Sequence, residues 1–458
     1  MIGLLKQTWA LFLGVALLSL GSGLQNSLLG LRAEIESFPT TAIGFVATAF
    51  YAGFLAGSLV VPGVIQRVGH VRGFAALASL ASTTALLHVV FIEPNLWILL
   101  RLVSGFAYAG LVIIAESWLN DRASNTTRGQ LLAAYMVINI GSQGLGQLLL
   151  NLESPAHFQL FVLVSVLISL ALIPLLLSMA PVPAVDSPQK VGLRELYRVS
   201  PLGVVGSFGA GLAHGALLGM GAVFARLAGL DVAGVSLFMG AIYLGAVILQ
   251  WPVGRLSDLF DRRRVILGTT LVAAIVALTA SNIEGELGPL LAAAAIFGGV
   301  SLPMYSLCVS HTNDFLGPRQ MVAASAALYF ATGLGAALGP VTVAAAMSTF
   351  GAPGFFVFIA GVHGAVGGFA LWRMLRRTAK PLAEQGSYGT WASTGTQVAA
   401  AMAASEYALG DQADQDATRD GDMAEVTMDG ESNVTPFPDP DCRSDADREP
   451  AGDDCMVA

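Results

Sequence analysis

An all-α integral membrane protein, with twelve transmembrane helices in two pseudo-symmetric six-helix bundles, is the fold this sequence predicts. Three observations predict it. The chain is 55% hydrophobic and 12% charged, whereas soluble domains carry about 25% charge. Twelve stretches are apolar over about 20 residues, enough to cross roughly 30 Å of hydrocarbon as a helix. A charged turn also occurs twice between apolar stretches, about 192 residues apart. Its first copy is Pro62-Gly63-Val64-Ile65-Gln66-Arg67-Val68-Gly69-His70-Val71-Arg72 and its second is Gly254-Arg255-Leu256-Ser257-Asp258-Leu259-Phe260-Asp261-Arg262-Arg263-Arg264.

The apolar segments lie near 9–31, 41–65, 73–92, 95–119, 129–151, 157–179, 201–227, 232–253, 264–281, 287–309, 319–348 and 352–373. The first has the look of a signal peptide, with Lys6 before an apolar run and small residues from Ser19 to Gly23. Removing it would leave eleven spans and unpair the halves, so it reads as a retained helix. The segment 319–348 is overlong and is expected to include a loop or a bend at Gly339-Pro340.

Orientation follows from the basic residues. With the N-terminus in the cytoplasm, 17 Lys and Arg fall on that side and only Arg32 and Arg226 on the other. The positive-inside rule then places both termini in the cytoplasm.

The net charge of −8 conceals two unlike parts, +6 over residues 1–380 and −14 over 381–458. The expected organisation is a six-helix bundle at 1–179, a cytoplasmic linker at 180–200, a second bundle at 201–377 and an acidic cytoplasmic tail at 378–458. The tail is poor in aromatic residues and cannot bury enough apolar surface to fold alone, so it is expected to be disordered. It reads either as a solvated extension or as a regulatory segment. Cys308, Cys442 and Cys455 form neither a disulfide framework nor a metal-ligand spacing.

Further landmarks repeat at nearly one offset. Asn120-Asp121 is echoed by Asn313-Asp314 and Arg128 by Arg319, 193 and 191 residues later. A duplicated membrane chain with its site between the repeats is the architecture of a transporter.

These residues resemble the major facilitator superfamily, whose signature between its second and third helices runs Gly-x-Leu-x-Asp-Arg-x-Gly-Arg-Arg. The second turn fits through Gly254, Leu256, Asp258, Arg262 and Arg263; the first keeps Arg67 and Gly69 but has Pro62, Gln66 and His70 at signature positions. A second signature matches Arg101, Gly105, Asp121, Arg128 and Gly129. The runs Ala115-Glu116-Ser117-Trp118-Leu119-Asn120 and 303–314 are similar to the YcaD-type branch of that superfamily. The resemblance covers about residues 1–378 and implies a bacterial cell inner membrane protein, without naming the cargo. Drug antiporters of the superfamily carry Gly-x-x-x-Gly-Pro in the fifth helix. Here the fifth segment has the glycines of 139–146 without the proline, which argues against that class.

Charged side chains are costly in the bilayer and normally face protein or a water-filled cavity. Arg101, Tyr108 and Glu116 share one face of the fourth segment, since 15 residues at 100° each leave roughly 60° after whole turns. Arg101 and Glu116 are about 22 Å apart along the axis and cannot pair. Arg101 is either a cavity cation holding the substrate or a structural donor to Gln25 and Asn26. Glu116 is either the proton-coupling carboxyl, since burial favours its neutral form, or a gate residue paired with Arg67 or Arg122.

Tyr135, Asn139, Gln143 and Gln147 make a slanting polar stripe on the fifth segment. Such a stripe lines a cavity or joins helices. His214 falls within the seventh segment, as a substrate or proton ligand or in an interhelical bond. Gln25, Asn26, Tyr108, Tyr243 and Tyr305 complete the cavity candidates, whereas His88 and His363 read as packing residues. Arg67, Asp121, Asp258, Arg262, Arg263, His311 and Asp314 are expected to form a cytoplasmic gate that bridges the halves when the cavity opens outward.

The expected function is a secondary active transporter of a small organic solute, working by alternating access and coupled to protons. A multidrug or metabolite efflux pump is the rival within transport, and a receptor or scaffold with the transporter fold is the rival outside it. No enzyme is expected, because no nucleophile–base pair emerges from the spans and no Gly-x-x-x-x-Gly-Lys-Ser/Thr loop is present for ATP. No metal, cofactor or nucleic acid is implied. The partners are the lipid bilayer, a small molecule and protons, and the chain is expected to be a monomer.

Overall fold

The computed structural model describes residues 2–123, 127–177, 192–283, 286–376, 381, 385–386 and 388–389. The helices are α1 (Ile2–Ile35), α2 (Thr40–Val68), α3 (His70–Val90), α4 (Pro94–Arg122), α5 (Arg128–Leu148), α6 (Gln159–Leu177), α7 (Leu193–Val199), α8 (Pro201–Leu227), α9 (Val232–Leu259), α10 (Arg262–Ala280), α11 (Leu287–Ser301), α12 (Met304–Asn313), α13 (Pro318–Phe350) and α14 (Gly354–Arg376). No strand occurs among the described residues.

Among the described residues, eleven helical stretches are long and apolar enough to cross a membrane, with α11 and α12 together making one of them. The helix α5 is 21 residues long but falls outside the eleven, because Tyr135, Asn139, Gln143 and Gln147 lower its hydropathy. All four are buried, shielded from lipid by α1 and α9, against which α5 packs. The arrangement is therefore consistent with twelve spans.

Local chemistry sets the helix ends. Glu93 caps α4 by accepting the Leu96 amide at 2.7 Å, with Pro94 in the first turn, and Asp231 caps α9 by accepting the Gly234 amide at 2.8 Å. A single residue, Gly69, joins α2 to α3 at φ +84°, a conformation that glycine adopts without strain. Its repeat partner is Asp261, which instead caps α10 through the Arg263 amide.

Two spans differ from expectation. Of the loop or bend anticipated within 319–348, the loop is absent: α13 runs unbroken with Pro340 inside it. Pro340 packs over Gly219 of α8, and the next amide, Val341 N, donates to Thr48 Oγ1 at 3.2 Å. Neighbouring helices thus accommodate the proline. Conversely, the span read as 287–309 breaks into α11 and α12 at Leu302-Pro303, where proline cannot supply a helical N–H.

Of the expected linker 180–200, residues 180–191 lie outside the described set and 193–199 form α7. Most of the 378–458 tail also lies outside it. Gln385, Gly386, Tyr388 and Gly389 are described, and Tyr388 packs against the core.

The helices pack as a repeated plan. In the first half α1 meets α5 and α6, and α2 meets α4; in the second, α8 meets α13 and α14, and α9 meets α11. Contacts of α2 with α13, α5 with α9 and α1 with α8 join the halves. Glycines set the close approaches. A Cβ at Gly53 would strike the Leu102 carbonyl, and 192 residues later a Cβ at Gly245 would strike the Ala295 carbonyl. Gly23 against Gln143 O and Gly215 against Ala336 O repeat the relation. Small residues that let helix backbones meet are the usual glue in lipid, and here they recur with the charged turns.

Candidate functional site

A cavity of about 100 Å³ lies between the halves. Ser19, Ser22 and Asn26 of α1, Phe50, Tyr51 and Phe54 of α2, Tyr108 of α4, and Asn139 and Gln143 of α5 line one side. His214 of α8 and Tyr329 and Thr332 of α13 line the other. The lining contains no carboxylate among the described residues.

Four of the predicted cavity residues, Asn26, Tyr108, Asn139 and Gln143, therefore meet His214 across it. Gln143 Nε2 donates to Asn139 Oδ1 at 2.6 Å, and Tyr243 OH reaches Gln143 Oε1 at 3.4 Å from a smaller adjoining pocket. His214 Nε2 is bonded to the Ser301 carbonyl at 3.1 Å, so the interhelical bond is present while the ring also faces the cavity. Gln25 and Tyr305 are buried outside the cavity lining. Tyr135 is used elsewhere.

Sequence reasoning passed over Ser22, Phe50, Tyr51, Tyr329 and Thr332. The repeat itself carried a signal for three of them, since Ser22 maps to His214 and Tyr51 to Tyr243 at 192 residues, and Thr332 to Asn139 at 193. Phe50 carried no such signal, because an aromatic facing a cavity reads like one facing lipid.

Arg101 is 4% exposed. Its Nη2 donates to Asn26 Oδ1 at 2.8 Å, one of the structural contacts anticipated, and its guanidinium lies 4.1 Å from the centre of the Phe50 ring. It lines a small cleft with Asn26 and Tyr51, and those two residues also line the central cavity.

Glu116 is fully buried. Tyr135 OH donates to its Oε1 at 2.7 Å, and Tyr329 of α13 is near enough to interact with its charge. The carboxyl thus bonds within its own half and lies in electrostatic range of a residue of the other. Arg67, one of its anticipated partners, is exposed at the end of α2.

At the end carrying the repeated turns, Arg262 is 1% exposed. Its Nη1 donates to Asp314 Oδ1 at 2.5 Å and to the Ser310 carbonyl at 2.9 Å, its Nε donates to Ser257 Oγ at 3.2 Å, and its Nη2 lies 3.9 Å from Asp258. These contacts tie α9, α10 and α12 together within one half, not the two halves to each other. Arg263 pairs with Asp261 at 2.9 Å. Burial acts to raise the Asp261 carboxyl pKa, but the hydrogen bonds and charge of Arg263 outweigh it and hold the pKa below the usual range. That pair stabilises the fold above the ordinary carboxylate pKa and loses its effect as pH falls through the lowered one.

His311 is buried edge-on to Phe315 beside this cluster. In the first copy, Arg67 and Asp121 are exposed and make no ion pair among the described residues. His70, the repeat partner of Arg262, lies against Trp118 instead.

Residues after α14 dock on the second copy. Gly386 O accepts from Arg262 Nη2, Gly386 N donates to Asp314 Oδ1 at 3.3 Å, Tyr388 N to Asp258 Oδ1 at 2.6 Å and Gly389 N to Ser310 Oγ at 3.4 Å. The Tyr388 ring fills the space left by the missing side chain of Gly254.

The opposite end is drawn together across the halves. Arg226 Nε donates to Glu34 Oε2 at 3.4 Å, Asn151 Nδ2 to Ser236 Oγ at 3.0 Å, and Ser236 Oγ to the Gln147 carbonyl at 2.7 Å.

A family profile described as Major Facilitator Superfamily matches residues 11–242 and 203–404. The chain is 28% identical over 373 residues to the uncharacterized MFS-type transporter YcaD of Escherichia fergusonii, covering 81% of this chain and 96% of that one. It is 29% identical over 357 residues to the uncharacterized MFS-type transporter YE1530 of Yersinia enterocolitica, covering 77% and 92%. Its fold is similar to that of the nucleoside transporter NupG, with a TM-score of 0.66 at 14% identity over 82% of this chain and 100% of that one. It is also similar to a bacterial homologue of the human lysosomal transporter Spinster in an inward-facing, unoccupied conformation, with a TM-score of 0.60 at 16% identity over 89% and 97%. Spans, repeat, cavity and profile agree: the chain belongs to the major facilitator superfamily of membrane transporters.

Proposed function

We propose that this protein is a secondary active transporter that moves a small organic solute across the bacterial inner membrane by alternating access, coupled to protons through Glu116. The observation that carries this reading is the cavity between the halves, walled by α1, α2, α4 and α5 on one side and α8 and α13 on the other. A site shared by two bundles changes its exposure when they rock. The contacts across the Glu34–Arg226 end support a state closed there, with entry from the end bearing the charged turns. The distribution of 17 basic residues to that side and two to the other supports placing it, and both termini, in the cytoplasm. Coupling at Glu116 is supported by a buried carboxyl that accepts a hydrogen bond from Tyr135 and lies within electrostatic range of Tyr329 in the other half. Counterflow of labelled metabolites in proteoliposomes is the test. A transporter exchanges at least one solute of the panel with no gradient applied, whereas a receptor or scaffold exchanges none.

A further inference from the structure

We propose that the cargo of the central cavity is an organic monoanion, whose carboxylate pairs with Arg101 while its apolar body lies against Phe50, Tyr51 and Tyr108. The proposal rests on the reading of that cavity as the transport site, and it deepens that reading by naming the substrate class.

The argument starts from charge. Arg101 and Tyr108 are 4% and 3% exposed, and both Arg101 Nη1 and Tyr108 OH are buried without a hydrogen-bond partner among the described residues. No carboxylate forms an ion pair with Arg101 among the described residues. Glu116, on the same helix, is about 22 Å along the axis. A buried guanidinium without an opposite charge is expensive. The face of Phe50, 4.1 Å away, offsets part of that cost but accepts no conventional hydrogen bond. Asn26 satisfies one nitrogen. An acceptor bearing one negative charge would satisfy the other and neutralise the cation.

The surroundings narrow the class. The Arg101 cleft shares Asn26 and Tyr51 with the cavity, so a molecule in the cavity can direct one end towards the guanidinium. The planar fork of arginine suits a carboxylate. Arg101 is the single arginine or lysine lining either space among the described residues, which matches a monoanion better than a phosphate dianion. An organic cation would find no carboxylate in the lining, and a neutral solute would leave Arg101 uncompensated. The aromatic walls suit an apolar or aromatic body.

The test is calorimetry on the full chain in detergent with matched acids and amides, such as benzoate with benzamide and hexanoate with hexanamide. At least one acid should bind about tenfold or more tighter than its amide, the factor expected for a charge-assisted hydrogen bond. Arg101→Gln should erase that preference, and Arg101→Lys should keep it. The comparison within the wild-type protein decides the matter even where a variant fails to fold. The proposal is overturned if amides bind as tightly as acids, if no acid binds, or if Arg101→Gln retains the preference. Counterflow of a bound acid separates the two readings: Arg101-dependent binding without flux would leave the anion site standing and remove the transport role.

Discussion

Glu116→Gln should abolish uptake driven by a pH gradient, a loss of about tenfold or more, while leaving solute counterflow within about threefold of wild type. Counterflow needs no net proton movement, so it reads the cavity and the rocking motion alone. The physical reason lies in burial. A carboxyl with no solvent exposure is costly to carry through the membrane charged, and the Tyr135 hydroxyl compensates only part of that cost. Glutamine keeps the shape and the hydrogen-bonding oxygen but cannot bind and release the proton. Uptake that follows the pH gradient equally well in Glu116→Gln would remove the residue from coupling.

Asp314→Ala should lower the thermal midpoint by roughly 4 to 6 °C, whereas Asp121→Ala should shift it by about 1 °C or less. The two positions are repeat partners, 193 residues apart, but their surroundings differ. Asp314 neutralises Arg262 with both side chains almost fully buried, at 3% and 1% exposure. Removing one member of such a pair costs about 3 to 5 kcal/mol, because the other charge stays buried. Asp121 is exposed, where a lost charge costs about 1 kcal/mol or less. Thermal unfolding of the two variants in the same detergent checks the contrast, and equal shifts would contradict it. Asp314→Ala also removes the acceptor of the Gly386 amide and should loosen the segment containing Gly386 and Tyr388.

The spans were legible because lipid imposes a length and a composition that few other environments demand. Even α5 could be read, although its polar stripe lowers its hydropathy. The repeat was legible from charged turns alone, while the glycine contacts at Gly53 and Gly245 that make it a packing plan required the partner backbones. Arg101 and Glu116 stood out because charge is scarce in the spans.

The gate was harder. Arg262, Asp258 and Asp314 were recognised as a group, but whether their bonds cross the halves depends on the conformation, and here they stay within one half. The contacts of Gly386 and Tyr388 were hidden by the composition of the tail, which averages a docked stretch with many acidic residues. The helix break at Pro303 and the unbroken helix through Pro340 were equally beyond the sequence, since Pro62, Pro174, Pro252 and Pro340 all lie inside helices while Pro303 separates two.

The two halves differ in where their charged residues fall. Arg101, Glu116 and Gln143 map by the 193-residue offset to Ala294, Val309 and Ala336, so neither of the two charged groups within the spans of the first half is repeated in the second. Gln66 and His70 map by 192 residues to Asp258 and Arg262, so the anchored turn belongs to the second.

The most direct test of alternating access is to lock the end that the Glu34–Arg226 pair draws together. Glu34→Cys with Arg226→Cys, in a chain with Cys442 and Cys455 replaced by serine and the buried Cys308 retained, can be bridged by a short thiol-specific cross-linker cleavable by reductant. Cross-linking should reduce counterflow to background and reduction should restore it. Full counterflow through the cross-linked protein would contradict a cavity that must open at both ends in turn.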